Sequence, residues 1–207
     1  MQRILEILLS IVALFVLAPL LVPVMIILRF SGEREIFFVQ ERVGRGGKPF
    51  GLLKFATMLK DSPNIGAGEI TLKNDPRVLP FGRLLRRTKI NELPQLINIL
   101  KGDLSFVGPR PMVPKTYALY PEDAQRELNT ICPGLTGIGS IIFRDEERYL
   151  DSSKDPVGFY RDVIIPYKAS LELWYVRNRS LGLYLLLIFL TAWAVSYTHL
   201  DVYKRQR

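Results

Sequence analysis

The longest apolar run comes first. Ile7 to Leu28, ILLSIVALFVLAPLLVPVMIIL, is 22 residues without a charge, flanked by Arg3 and Arg29. As a helix it is about 33 Å long, enough to cross the hydrocarbon of a bilayer. No small-x-small cleavage site follows, so it does not read as a removable leader. Pro19 and Pro23 interrupt it. Each removes a backbone donor, which predicts a sharp kink. Two readings stay open, a bent span or a helix that enters, breaks and returns to one face, and pattern alone leans to the span.

The pattern then changes period. Ile36 to Val43 and Phe50 to Met58 are rich in aromatic and branched residues, with GRGGKP between them. That predicts a β-hairpin with a glycine-permitted turn. Residues 61–80 hold three prolines and two glycines and read as an irregular polar loop. Leu93, Leu96, Ile97 and Leu100 recur at helical spacing. Asn91 is the expected N-cap, Pro94 is tolerable in a first turn, and Gly102 is the expected stop. Residues 121–130 predict a short helix and CPGLTGIGS a loop. Pro156 to Arg179 predicts an amphipathic helix. Leu181 to Ala194 is apolar but 14 residues long, too short to span and suited to a membrane surface.

Charge narrows the choice of partner. The 28 Lys and Arg against 20 Asp and Glu give +8, and the whole excess lies between Arg29 and Lys115, where 16 basic residues face 8 acidic ones. A localised basic field favours phosphates, nucleic acid or an acidic membrane surface. Cys132 is the single cysteine and His199 the single histidine. Internal disulfides, Cys/His zinc sites and histidine-based nucleophile systems are thereby excluded. Chemistry here rests on carboxylates, cations and a metal held through oxygen.

The stretch RRTKINELPQLINILKGDLSFVGPRP, Arg86 to Pro111, gathers the candidates. Arg86, Arg87 and Lys89 precede an expected helix start, whose free N–H groups attract phosphate. Arg110 stands between Pro109 and Pro111, a stiff mount for a guanidinium that can grip phosphate with two parallel bonds. Glu92 among cations is a candidate Mg²⁺ ligand, since Mg²⁺ takes one or two protein carboxylates plus phosphate oxygens. Singly, each has a plain structural reading as cap, solvated face or corner. Their crowding behind a membrane segment favours an anionic active site. Asp103, and Asp145 within the acidic run 145–147, are spare acids for a site one carboxylate short. A membrane-tethered nucleic-acid binder also suits +8, but Arg83 to Lys101 contains no aromatic residue on which bases could stack. No nucleic-acid partner is expected.

Several motifs together, FFVQERVGRGGKPF, KNDPRV, NELPQLINILKGDLSFVGPRP and WYVRNRSL, resemble the bacterial sugar transferases, the monotopic phosphoglycosyl transferases, in their short form. The likeness runs in order from the N-terminus to about residue 194. It implies a mostly helical α+β, membrane-associated monotopic domain: a re-entrant helix at 1–30 broken at Pro19, a transferase domain at 31–194 with a small β-hairpin, and interfacial amphipathic helices. Residues 195–207 resemble translated transposon ends and are set apart as a sequencing artefact. The implied reaction moves a sugar-1-phosphate from a UDP-sugar to polyprenyl phosphate, giving polyprenyl-diphosphate-sugar and UMP. The implied location is the cytoplasmic face of the bacterial inner membrane, with downstream glycosyltransferases as candidate partners. Lys54, Arg86 and Arg110 fall on phosphate-binding positions, and Glu92 on the Mg²⁺-binding one. The family's nucleophilic aspartate is replaced by Asn91, and its Ser-Pro break by Ala18-Pro19. Three accounts of Asn91 follow: direct attack by the lipid phosphate, a nucleophile supplied by Asp103 or Asp145, or a silent scaffold of a glycan pathway.

Overall fold

The apolar run folds as α1, Gln2–Phe30, unbroken in its helical assignment through both prolines. The expected break at Pro19 is therefore not an interruption of the helix. The two missing N–H groups leave the carbonyls of Phe15 and Pro19 without helical donors, four residues apart and on one exposed side. The opposite side is the docked one. Ser10, Leu14, Leu17, Leu21, Val24 and Leu28 recur at alternating steps of four and three, and the last five join a core with Phe55 and Leu85. Around them Phe15 (83 % exposed), Val16 and Phe30 (84 % exposed) point outward. Such a narrow seam is what a helix shows when one stripe meets protein and the rest meets something apolar.

The structure, a computed structural model, describes residues 2–65, 75–143 and 155–204. It is mostly helical α+β, as the resemblance implies, and divides into two compact units.

The first unit comprises Arg3–Gln40 and Gly51–Lys101. Beside α1 it holds most of the predicted hairpin, β1 (Phe37–Val43) and β2 (Pro49–Phe55), with Phe37 stacked on Phe55. Helix α2, Pro80–Arg87, follows a bridge between Met58 and Val78. Helix α3 is Gln95–Lys101, and Gly102 ends it at φ +95°, the predicted stop. The N-terminus of α1 is tied here as well. The Arg3 guanidinium donates to the carbonyls of Ile99 and Leu100, capping the C-terminal end of α3 with a cation. The buried Glu6 lies one turn on, 3.6 Å from Arg3.

The second unit comprises Glu41–Phe50 and Gly102–Arg207. The hairpin tip turns through Gly46 and Gly47, both near φ +70°, as GRGGKP predicts. After it come β3 (Ser105–Val107), α4 (Pro114–Tyr117), α5 (Glu122–Leu128), β4 (Gly134–Thr136) and α6 (Ile138–Ile142). β3 and β4 pair in parallel, Ser105 with Gly134 and Val107 with Thr136. This corrects the reading of CPGLTGIGS as loop alone. The predicted amphipathic helix is three pieces, α7 (Pro156–Phe159), a π turn (Tyr160–Ile164) and α8 (Ile165–Arg177). Helix α9, Leu181–Lys204, begins with the short apolar segment. Val107, Ile131, Tyr175, Tyr184 and Leu187 form one core, and Tyr120, Leu128, Ile165 and Ala169 another.

Candidate active site

In the first unit the site is built on two contacts at Thr57. Gly82 has no room for a side chain, since a Cβ there would lie 2.2 Å from the Thr57 carbonyl oxygen. Its absence lets α2 press onto the chain after β2. One turn later Arg86 donates to Thr57 Oγ1 at 3.4 Å. Lys54, half-buried on β2, is held by its neighbour in sequence: Leu53 N–H donates to Asn98 Oδ1 at 2.9 Å, and Asn98 Nδ2 donates to the Gly51 carbonyl at 2.8 Å. Asn98 is thus a buried clamp between α3 and β2, absent from the sequence candidates. Its signal was a polar residue on the apolar face of LINIL.

Asn91 is not a helix cap. Lys89 adopts a left-handed φ of 59°, at a cost of about 1 kcal/mol, and turns the chain from α2 into a 3₁₀ turn, Ile90–Glu92. The N–H groups of Glu92 and Leu93 donate to Lys89 and Ile90 within it. They are therefore not offered to a ligand, and α3 starts only at Gln95, after Pro94. The expected phosphate site at a helix N-terminus is absent for this reason. What stands in its place is a buried amide. Asn91 is 7 % exposed and its Oδ1 accepts no hydrogen bond. An unpaired buried oxygen of this kind costs about 1–3 kcal/mol, so the turn is built at a loss of stability. Glu92, next in the chain, is half-buried.

Lys54, Arg86, Asn91 and Glu92 belong to the first unit, whereas Asp103 and Arg110 belong to the second. Asp145, and the acidic run with it, lies outside the described residues. Among the described residues no three His, Cys, Asp or Glu side chains converge as a ready-made metal cage.

The second unit mounts Arg110 on the turn after β3. Pro109 O accepts from Gly134 N–H at 2.8 Å, and Pro111 O accepts from Arg42 Nη1 at 3.0 Å. Both flanking carbonyls are fixed while Arg110 itself is exposed. Behind the turn sits Glu172 of α8, 4 % exposed, a residue the sequence reading passed over. Its signal was a lone acid inside ASLELWYV. Its Oε1 accepts from Arg110 N–H at 3.4 Å, and its Oε2 has no partner. Burial pushes this carboxyl up to about 7, against the smaller opposing pull of the Arg110 N–H and the charges of Lys168 and Arg110.

The first unit thus offers an apolar helix docked along one stripe and a turn with an unpaired amide oxygen beside Glu92, and the second a rigidly mounted arginine. The chain belongs to the bacterial sugar transferase family, which it matches over residues 1–198. It is 34 % identical to the exopolysaccharide production protein ExoY of Sinorhizobium fredii, over 94 % of this chain and 84 % of that protein. It is 34 % identical to the undecaprenyl-phosphate glucose phosphotransferase of Komagataeibacter xylinus, over 88 % of this chain but 33 % of the relative. Against the undecaprenyl-phosphate galactose phosphotransferase of Salmonella typhimurium identity is 32 %, over 93 % of this chain and 40 % of the relative.

Proposed function

We propose that this chain transfers a sugar-1-phosphate from a UDP-sugar to undecaprenyl phosphate, releasing UMP, as a first membrane step in building a surface glycan. The observation that carries the reading is the buried, unpartnered amide oxygen of Asn91 beside Glu92, in the same unit as Lys54, Arg86 and α1. A stable fold has little use for an orphaned oxygen, but a site that meets ligand donors does. The relatives' names supply the substrates: two are undecaprenyl-phosphate sugar phosphotransferases and a third, from Aeromonas hydrophila, takes UDP-N-acetylgalactosamine.

The membrane reading rests on α1. Arg3 at one end and Leu28 at the other both dock on the first unit, across a helix about 43 Å long. A helix pinned at both ends to one folded unit does not carry its N-terminus to the far side of a bilayer. The monotopic arrangement follows, with α1 sunk in one leaflet, both ends at the cytoplasmic face of the inner membrane and Pro19 and Pro23 on the lipid side.

In this site the oxygen donors fit Mg²⁺: Glu92 offers a carboxylate and Asn91 an orphaned amide oxygen, both hard ligands, with substrate phosphates left to complete the shell. When bound, Mg²⁺ supplies charge neutralisation at the diphosphate. Lys54 and Arg86, in the same unit, neutralise and orient the remaining phosphate charge, and Arg110 of the second unit is a phosphate ligand by its family position. Asn91 cannot form the acyl-phosphate that an aspartate would, because an amide is a poor nucleophile. The lipid phosphate oxygen therefore attacks the sugar-bearing phosphorus directly, and UMP leaves with the electron pair of the broken P–O bond.

The test is UMP release from UDP-glucose, UDP-galactose and UDP-N-acetylgalactosamine by purified protein with undecaprenyl phosphate and Mg²⁺. Wild-type release that Glu92→Gln lowers at least 100-fold is expected. Sugar-phosphate exchange without lipid should be absent in the wild type and appear in Asn91→Asp. Exchange in the wild type would refute direct attack. No release by the wild type, coupled with activity in Asn91→Asp, would mean that the asparagine disabled a family enzyme, and silence in both would leave the scaffold of a glycan pathway.

A further inference from the structure

The triplet Pro109-Arg110-Pro111 has one backbone donor, since neither proline carries an N–H. That single donor is Arg110 N–H, and it is given to the buried carboxyl of Glu172. One helical turn along α8, Tyr175 OH donates to the Val107 carbonyl at 3.5 Å, at the end of β3. The same face of α8 thus grips the strand and the turn that follows it. The start of α6, directly after β4, closes over the same carboxyl. A Cβ on Gly139 would lie 2.4 Å from Glu172 Oε1, and a Cβ on Gly137 would lie 2.2 Å from the Gly108 carbonyl oxygen. A side chain at Gly137 would strike backbone and one at Gly139 would displace the Glu172 carboxyl, so the glycines let both post-strand segments converge on Glu172.

A buried acid with one oxygen unpartnered is a poor choice for stability alone, because an apolar side chain of similar shape avoids the desolvation cost. Its retention at the back of the arginine turn needs a function. We propose that Glu172 is a positioning residue: by holding the one N–H of the Pro-Arg-Pro turn at the ends of β3 and β4, it fixes where the Arg110 guanidinium meets the phosphates of the donor. This rests on the reading of Arg110 as a phosphate ligand. At 3.4 Å the N–H contact is long, and the hold is firmest when the carboxyl is ionised.

The experiment is UDP affinity by titration calorimetry on the full chain in detergent, for wild type, Arg110→Ala, Glu172→Gln, Glu172→Met and each Glu172 variant combined with Arg110→Ala. Glu172→Gln keeps a neutral acceptor and Glu172→Met keeps none. UDP affinity should fall about threefold in the first and about tenfold in the second, following the weakening and then loss of a charge-assisted bond. At pH 8, where the wild-type carboxyl is charged, melting temperatures of both should stay at or above wild type, since a buried charge has been removed. In the Arg110→Ala background neither substitution should lower affinity further, because Glu172 acts through that side chain. Wild-type affinity in Glu172→Met while Arg110→Ala binds weakly would overturn the positioning role, as would full additivity of the two changes. Wild-type affinity in Arg110→Ala would instead overturn the reading of Arg110 on which the role depends.

Discussion

Replacing Glu172 by Gln should change how stability depends on pH, and the size of the effect can be worked out. In the folded chain the carboxyl is raised from 4.5 to about 7, chiefly by burial; Lys168 on its own helix and Arg110 on the facing turn oppose this, and no titratable side chain lies on β4 or α6. The folded state therefore holds the proton more tightly than the unfolded one. Stability is full below about pH 4.5, falls as pH rises toward 7, and stays at the lower level above it. At about 1.36 kcal/mol for each pH unit the loss is roughly 3 kcal/mol. For a chain of this size that is about 6–12 °C in Tm. The assay is thermal melting followed by the fluorescence of Trp174 and Trp193, in detergent, from pH 4.5 to 8. The Tm of wild type minus that of Glu172→Gln should drop by that amount across the range, since the other titrations are common to both and cancel. Parallel curves would refute the argument, and would mean that water or a rearrangement solvates the carboxyl.

Three further outcomes are expected. Arg3→Ala removes two hydrogen bonds at the C-terminal end of α3 and the ion pair of buried Glu6; a loss of about 1–2 kcal/mol, read as a lower Tm, is expected, and an unchanged melt would separate α1 from α3. Gly82→Ala forces α2 away from Thr57 and should cost about 1–3 kcal/mol and lower UMP release through Arg86, whereas Gly182→Ala on α9, where a Cβ meets nothing within 4 Å, should be neutral or slightly stabilising. Binding to phosphatidylglycerol vesicles should weaken several-fold between 50 and 500 mM NaCl if the basic excess at residues 29–115 faces the lipid; salt-insensitive binding would assign the attachment to apolar contact alone.

The sequence showed the parts whose causes are local. The 22-residue apolar run, the GRGGKP turn and the helix stop at Gly102 each follow from composition or a special φ within a few residues. It failed where the cause lies elsewhere in the chain. Asn91 looks like a cap because Asn caps helices, but Lys89 turning left-handed and Pro94 five residues later move the helix start to Gln95. β3 and β4 are three residues each, too short to show a period of two, and exist because their backbones pair across an intervening stretch that holds α4 and α5. Glu172 fits a helical pattern as a surface residue, and only the convergence of three glycines and the Pro-Arg-Pro turn buries it. For the same reason Arg110 was legible as a stiff arginine while its support was not.

The fixed carbonyls of Pro109 and Pro111 have a thermodynamic consequence. A flexible phosphate-binding loop gives up about 1–2 kcal/mol of conformational entropy per residue when it closes on its ligand. Here hydrogen bonds within the unit hold both carbonyls, so on the proposed role of Arg110 a diphosphate would freeze little beyond that side chain, about 2 kcal/mol at most. Donor capture by this turn should therefore be a one-step encounter, with a rate set by diffusion and charge rather than by a folding event at the site.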